Sequence, residues 1–384
     1  MIVTGGRTLV SGALEDVAVA IAGDRIARIG EAGAAPGPRL DATGLLVLPG
    51  LVDIHGDAFE RQLMPRPGVG FPVGLAFLET DRQLAANGIT TACHGVTWSW
   101  EPGLRDAHNA RAALAAIEAL AGRGRVDHRC HLRHEVFNLD AEDEILGWIA
   151  ARRIACLAFN DHMEGTLKAR HRPDKVARMV ERSGLSAEDF LALADRVHAR
   201  KDEVAASVAR LARAAAAAGV PALSHDDRSP QERAAYRALG VAVAEFPITA
   251  ETAAAAAAAG DPIVFGAPNV VRGGSHTGCP SAAEMVRAGL CDVLASDYYY
   301  PALVQAIATL VHAGDAPLAR AVALATEGPA AALGLADRGR LAEGLRADVI
   351  LVDLGSGTRP ADVIATIAAG RLVHLAEGAR LRPA

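Results

Sequence analysis

No apolar run in the 384 residues approaches the ~20 needed to cross a bilayer, so no membrane-spanning segment is expected. The start, MIVTGGRTLV, lacks the basic residues and apolar centre of a signal peptide, and a cytoplasmic protein is expected. Cationic excess is missing as well. The formal charge of -6, from 39 Lys and Arg against 45 Asp and Glu, argues against a nucleic-acid partner, whose domain would usually be basic. Paired cysteines are missing too. Cys93, Cys130, Cys156, Cys279 and Cys291 are odd in number and scattered, which suits reduced core residues and not a disulfide framework. Finally, no glycine-rich dinucleotide loop follows the first strand of the central region, which disfavours a doubly wound open sheet.

What is present is 51% hydrophobic and 22% charged residues, enough for one large core and a smaller appended unit. Short alternating segments at 17–21 and 25–29, joined by the turn residues Gly23-Asp24, predict strands near the N-terminus. Similar segments recur at 347–352 and 370–374. Residues 1–50 and 336–384 are therefore expected to be two β-rich pieces of one small domain. Between them, apolar runs alternate with Ala- and Arg-rich stretches such as 107–122 and 202–219, which have high helix propensity. Eight strand–helix units over residues 51–335 predict an α/β protein with a (β/α)8 TIM-like barrel, whose usual scale is ~250 residues.

The stretch LPGLVDIHGD at 48–57 is the most informative. Pro49-Gly50 punctuates the chain, Leu51, Val52 and Ile54 form a buried strand, and the strand ends on His55-Gly56-Asp57. Side chains two apart on a strand share a face, so His55 and Asp57 are expected to project together. An imidazole beside a carboxylate suits a divalent metal such as Zn, Mn or Fe. Later strands add to the set. In 129–136, alternation puts Arg129, His131, Arg133 and Glu135 on one face, and the apolar character of the other turns Glu135 inward. Cys156, Ala158, Asn160 and His162 share a face, which carries His162 to the rim. His225 aligns with Leu223 and Asp227, so Asp226 is expected to face away. Asp297 aligns with Val293 and Ala295, small enough for a barrel interior. Five strand ends converging with His55, Asp57, Glu135, His162, His225 and Asp297 predict a metal site at the C-terminal mouth, where barrels place their chemistry. His94 and Glu245 are candidates to support it from behind.

An aliphatic strand ending in Pro-Gly and a His-containing acid motif, with later strand-end histidines and an Asp after strand eight, resembles the amidohydrolase superfamily. Gly339–Leu351 (GRLAEGLRADVIL) is similar to its returning β-sandwich segment, which makes the small domain a composite β-sandwich from both termini. Within the superfamily the chain resembles the diphosphatases of phosphonate breakdown. The shared stretches are MPRP at 64–67, NGITT at 87–91, SHDD at 224–227, AEFP at 244–247, GAPNVVRGGSH at 266–276 and SDYY at 296–299. Most superfamily members carry His-x-His where this chain has His-Gly-Asp, an Asp shared with the phosphonate group. Residues 58–63 and 91–103 depart from that group's pattern.

The resemblance implies one or two divalent ions, Zn foremost, held by His55, Asp57, His162 and His225, with Glu135 bridging or completing the site. Asp297 would ligate or orient a water and accept its proton, and Asp227 could assist. It implies cleavage of the triphosphate of an α-D-ribose 1-alkylphosphonate 5-triphosphate to the 5-phosphate and diphosphate. The alternative is hydrolysis of a C–N bond in an amide, a cyclic amide or an aminated ring. A silent metabolite-binding barrel is a third reading, whose mark would be loss of Asp297 or His225. Phosphates need cationic or backbone N–H donors, and Arg272-Gly273-Gly274-Ser275-His276 follows strand seven, a common barrel phosphate site. Arg66, held between prolines, and Tyr298 are further substrate-binding candidates. The expected partner is a phosphorylated sugar, and a homo-oligomer (dimer or tetramer) is expected.

Overall fold

The computed structural model describes residues 1–31, 37–66, 68–275 and 278–382. Eight consecutive strands of the central region form one parallel sheet in chain order. They are β1 (Leu51–Gly56), β2 (Ile89–Trp98), β3 (Asp127–Glu135), β4 (Cys156–Asn160), β5 (Ala222–His225), β6 (Val243–Glu245), β7 (Ile263–Gly266) and β8 (Val293–Ala295). The first and last strands meet, so the sheet curls into a barrel. Asp57 N–H donates to Asp297 O, and Asp297 N–H donates to His55 O, both at 2.9 Å. Below this seam the fully buried Asp53 carboxylate accepts Ser296 N–H at 3.0 Å and Ser296 Oγ–H at 2.5 Å. Burial raises the Asp53 carboxyl above its usual range, against the opposing pull of the Ser296 donors. Gly56 is required here: a Cβ would stand 2.5 Å from Asp53 Oδ2 and 2.9 Å from Ser296 Oγ.

Small and branched side chains fill the barrel: Val52, Ile54, Cys93, Cys156, Ala158, Leu223, Val243, Val264, Val293 and Ala295 are all buried together. Helices cover the outside, among them Val73–Ala86, Ala107–Ala119, Lys201–Ala218 and Ala302–Ala313. The expected helices at 107–122 and 202–219 are thus present with slightly shifted ends. Between β4 and Lys201–Ala218, three more helices are inserted: Met163–Ala169, Pro173–Ser183 and Ala187–His198. None of the helices is long and apolar enough to cross a membrane, among the described residues.

The chain ends build two further sheets, each mixing N- and C-terminal strands. In one, Arg39–Asp41 pairs with Leu381–Arg382. In the other, Leu46–Pro49 pairs with Val349–Asp353. Val3, Val19, Ile26, Leu40, Val47, Val349, Leu351 and Ile367 are buried between them. Leu46–Pro49 runs directly into β1, so the terminal sheets fix the strand that presents His55.

Candidate metal centre and substrate cavity

Side chains from three other strands converge on one buried carboxylate. Glu245, the last residue of β6, has no exposed surface. Its Oε1 accepts from His55 Nδ1 at 2.8 Å and its Oε2 accepts from His225 Nδ1 at 2.6 Å. His131 from β3 stands near it as well, with Nε2 3.8 Å from Oε1. Burial alone would raise the Glu245 carboxyl, but the imidazoles of His55, His131 and His225 outweigh it and hold it well below its usual range. An ionised Glu245 fixes the proton of both bound rings on Nδ1, which leaves the Nε2 lone pairs of His55 and His225 for a ligand. Carboxylate-backed imidazole is the usual arrangement behind a bound metal.

Around these rings, three groups among the described residues bring potential ligand atoms within 4.8 Å of one another: His55–His225–Glu245, His162–His225–Asp226 and His55–Asp57–Asp297. His55 and Asp57 do project together. Asp297 joins them through the seam, its backbone turned into the left-handed region (φ 54°) just beyond β8. Burial and then the neighbouring Asp57 raise the Asp297 carboxyl above its usual range. Glu135 accepts from His162 Nδ1 at 2.6 Å, and this carboxylate drives the His162 imidazolium up to about 9. Nitrogen and oxygen donors of this kind suit a divalent ion. The buried His131 Nε2 has no hydrogen-bond partner among the described residues, and burial pushes that ring down to about 4.

The expected pairing of His225 with Asp227 is corrected by the structure. Alternation stops at His225 because Asp226 adopts a left-handed backbone (φ 59°). That turn swings the Asp226 carboxylate to the cluster, 3.8 Å from His162 Nε2 and 3.7 Å from His225 Nε2. Asp227 is instead buried away from it, accepting from Ser224 Oγ at 2.6 Å and from Arg233 Nη1 at 3.3 Å. The two neighbours should therefore separate on substitution. Asp226→Asn is expected to lower turnover with little change in melting temperature. Asp227→Ala should cost about 1–3 kcal/mol in equilibrium denaturation, because it strips a partner from buried polar groups. His94 is likewise displaced from its expected place. It lies on the outer face of β2, against Phe59 and Phe77 (ring centroids 5.7 and 5.2 Å away), and bonds His128 at 2.8 Å, which in turn bonds Asp81 at 2.9 Å.

A cavity of about 300 Å³ opens from the cluster. Its lining includes the buried His55 and Arg133, the partly exposed His225, Asp226, Asp297, Ser275 and Tyr298, and the exposed Arg272. Arg272 ends the helix Ala267–Arg272, which Gly273 terminates with a left-handed backbone (φ 77°). Arg272 Nη1 donates to Tyr298 Oη at 3.3 Å. Gly274 follows with its backbone in an unusual extended conformation (φ 155°). His276 lies outside the described residues. Arg66 is not brought to this cavity: it is exposed in a local turn closed by Val69 N–H donating to its carbonyl at 3.0 Å.

A smaller cavity of about 110 Å³ adjoins Glu135 and His162, lined also by Ser99, Glu101, Arg105, Thr166 and Arg182. Residues 99–105 and the inserted helices meet here. Glu60 accepts twice from Arg105, at 3.0 and 2.9 Å, and Arg182 reaches from Pro173–Ser183 to Glu101 at 2.7 Å.

Arg133 is the inner residue that reading strand by strand left without a role. Alternation places it on the inward face with Glu135, and a charged residue inside a barrel is itself a signal of function.

Comparison with known proteins agrees with this architecture. The Amidohydrolase family model matches residues 158–373. The alpha-D-ribose 1-methylphosphonate 5-triphosphate diphosphatase of Escherichia coli (strain K12) is 34% identical over 327 residues, covering 81% of this chain and 84% of that protein. An imidazolonepropionase of Ruegeria sp. (strain TM1040) is 29% identical over 394 residues, covering 92% and 89%. Among solved structures, a 5-methylcytosine deaminase from Klebsiella pneumoniae matches with a TM-score of 0.62 over 98% of both chains, at 17% identity. The chain belongs to the amidohydrolase family.

Proposed function

We propose that this protein is a metal-dependent phosphoanhydride hydrolase that cleaves the 5-triphosphate of an α-D-ribose 1-alkylphosphonate, releasing diphosphate. The observation that carries the reading is the joining of two chemistries in one cavity: the His and carboxylate cluster, and Arg272 with Ser275 and Tyr298. The diphosphatase relative supports it, being similar over most of both chains.

His55, Asp57, His162 and His225 would hold one or two divalent ions, Zn foremost with Mn or Fe as substitutes, and Glu135 and Asp297 would complete the set. Such an ion supplies a Lewis acid that makes water nucleophilic near neutral pH. Asp297 takes the proton as the water oxygen bonds to phosphorus and the bridging oxygen departs with diphosphate. Glu245 keeps the His55 and His225 rings in a single orientation throughout. Arg272 offers a planar fork that matches phosphate oxygens better than an ammonium would.

C–N hydrolysis is the second reading, favoured by the imidazolonepropionase relative. The two are separated by substrate. The purified enzyme should release diphosphate from a 5-triphosphorylated ribose faster than it hydrolyses N-acyl amino acids, cyclic amides or aminated bases. Arg272→Ala should raise KM for the triphosphate with metal content unchanged, and Arg272→Lys should recover part of the loss. Efficient cleavage of a neutral C–N substrate, with triphosphates ignored, would overturn the phosphoanhydride reading.

A further inference from the structure

Arg133 brings a permanent positive charge to the innermost part of the cavity. Its place in the sequence explains how it gets there. On β3 it alternates inward with His131 and Glu135, and the neighbouring strand leaves room for it at Gly95. A Cβ at 95 would stand 3.2 Å from Arg133 Cδ and 3.3 Å from His55 Nε2. The residue is only 6% exposed, yet it lines the cavity. A guanidinium cannot shed its proton in a protein and carries five donors. Few of them are used. Nη1 donates to Asp57 Oδ2 at 3.1 Å, Nη2 reaches His225 Nε2 at a long 3.4 Å, and the buried Nε has no hydrogen-bond partner among the described residues. Both contacted atoms belong to residues that would hold a metal, so an ion bound there would compete for them and free guanidinium donors.

A buried cation with spare donors beside a reacting centre is suited to an anion. We propose that Arg133 is a specificity-determining residue that receives the phosphoryl oxygens of the substrate at the inner end of the cavity, while Arg272 serves the exposed end. This rests on the phosphoanhydride reading and deepens it. A neutral amide or ring would offer no charged acceptor to the guanidinium donors that Asp57 does not take.

The test is calorimetric titration of the metal-loaded enzyme with diphosphate, with bound metal measured before and after. The wild type should bind diphosphate. Arg133→Gln should bind it roughly 10–100-fold more weakly, the range for losing hydrogen bonds to a charged group, while retaining its metal. Arg133→Lys, which keeps the charge but not the fork, should fall between, and both variants should show the loss chiefly in KM for the triphosphate. Wild-type affinity in a folded Arg133→Gln would overturn the inference while leaving the phosphoanhydride reading standing. Parallel loss of metal and diphosphate would also overturn it, making Arg133 a brace for Asp57 and His225. If Arg133→Gln does not fold, Arg133→Lys decides: full metal with weakened diphosphate supports the proposal, and unchanged affinity overturns it. A wild-type enzyme indifferent to diphosphate would overturn the underlying reading as well.

Discussion

Asp297→Asn is expected to lose roughly 10²–10⁴ in turnover, the usual span for removal of a general base, while keeping its fold. Asparagine is nearly isosteric, and the backbone bonds that Asp297 exchanges with His55 and Asp57 across the barrel seam do not involve its carboxylate. What changes is the chemistry of one oxygen in the His55–Asp57–Asp297 group, because an amide cannot accept a proton at neutral pH. The measurement is single-turnover rate alongside melting temperature and bound metal. Activity within a few-fold of wild type would reassign the base, with Asp226 the next suspect because its carboxylate also lines the cavity.

His225→Ala and His55→Ala should each remove most of the bound metal. His225 belongs to two of the three ligand groups and His55 to two, sharing one with each other. Each ring comes from a different strand and is clamped by Glu245, so no neighbouring side chain can move into the vacated position. Glu245→Gln should be gentler, with affinity falling about 10–100-fold, the usual cost of losing a partner that orients a ligand. Elemental analysis of purified variants reads all three. A metal-free preparation with full hydrolytic activity would sink the mechanism.

The barrel was legible because alternating apolar strands and Ala-rich helices recur at barrel spacing, and the His-Gly-Asp motif was legible because nothing disturbs the strand that carries it. The misplaced neighbours share a cause. Asp226 and Asp227 exchanged roles because inferring side-chain direction by counting in twos holds only while the backbone stays extended, and here it turns left-handed at Asp226. His94 obeyed alternation but on the outer face, where a histidine is anchored by other polar groups: His128 and Asp81. Glu245 could be suspected from its place at a strand end. Its grip on two histidines from different strands could not, since that depends on the barrel closing. The three inserted helices after His162 left no periodic signal distinguishable from ordinary barrel helices. Their meeting with the 91–103 stretch, through Arg182 and Glu101, is a tertiary fact that composition does not encode.

The seam between β1 and β8 also sets a timetable. Asp53 and Ser296 are 243 residues apart in the chain, and contacts so distant in sequence are slow to form because a long loop must close first. His55 and Asp57 emerge early in synthesis and Asp297 late, so the His55–Asp57–Asp297 group has no existence on a growing chain. Occupancy of that group by an ion therefore dates the moment at which the last strand has joined the first, and a truncated chain ending before β8 can never acquire it.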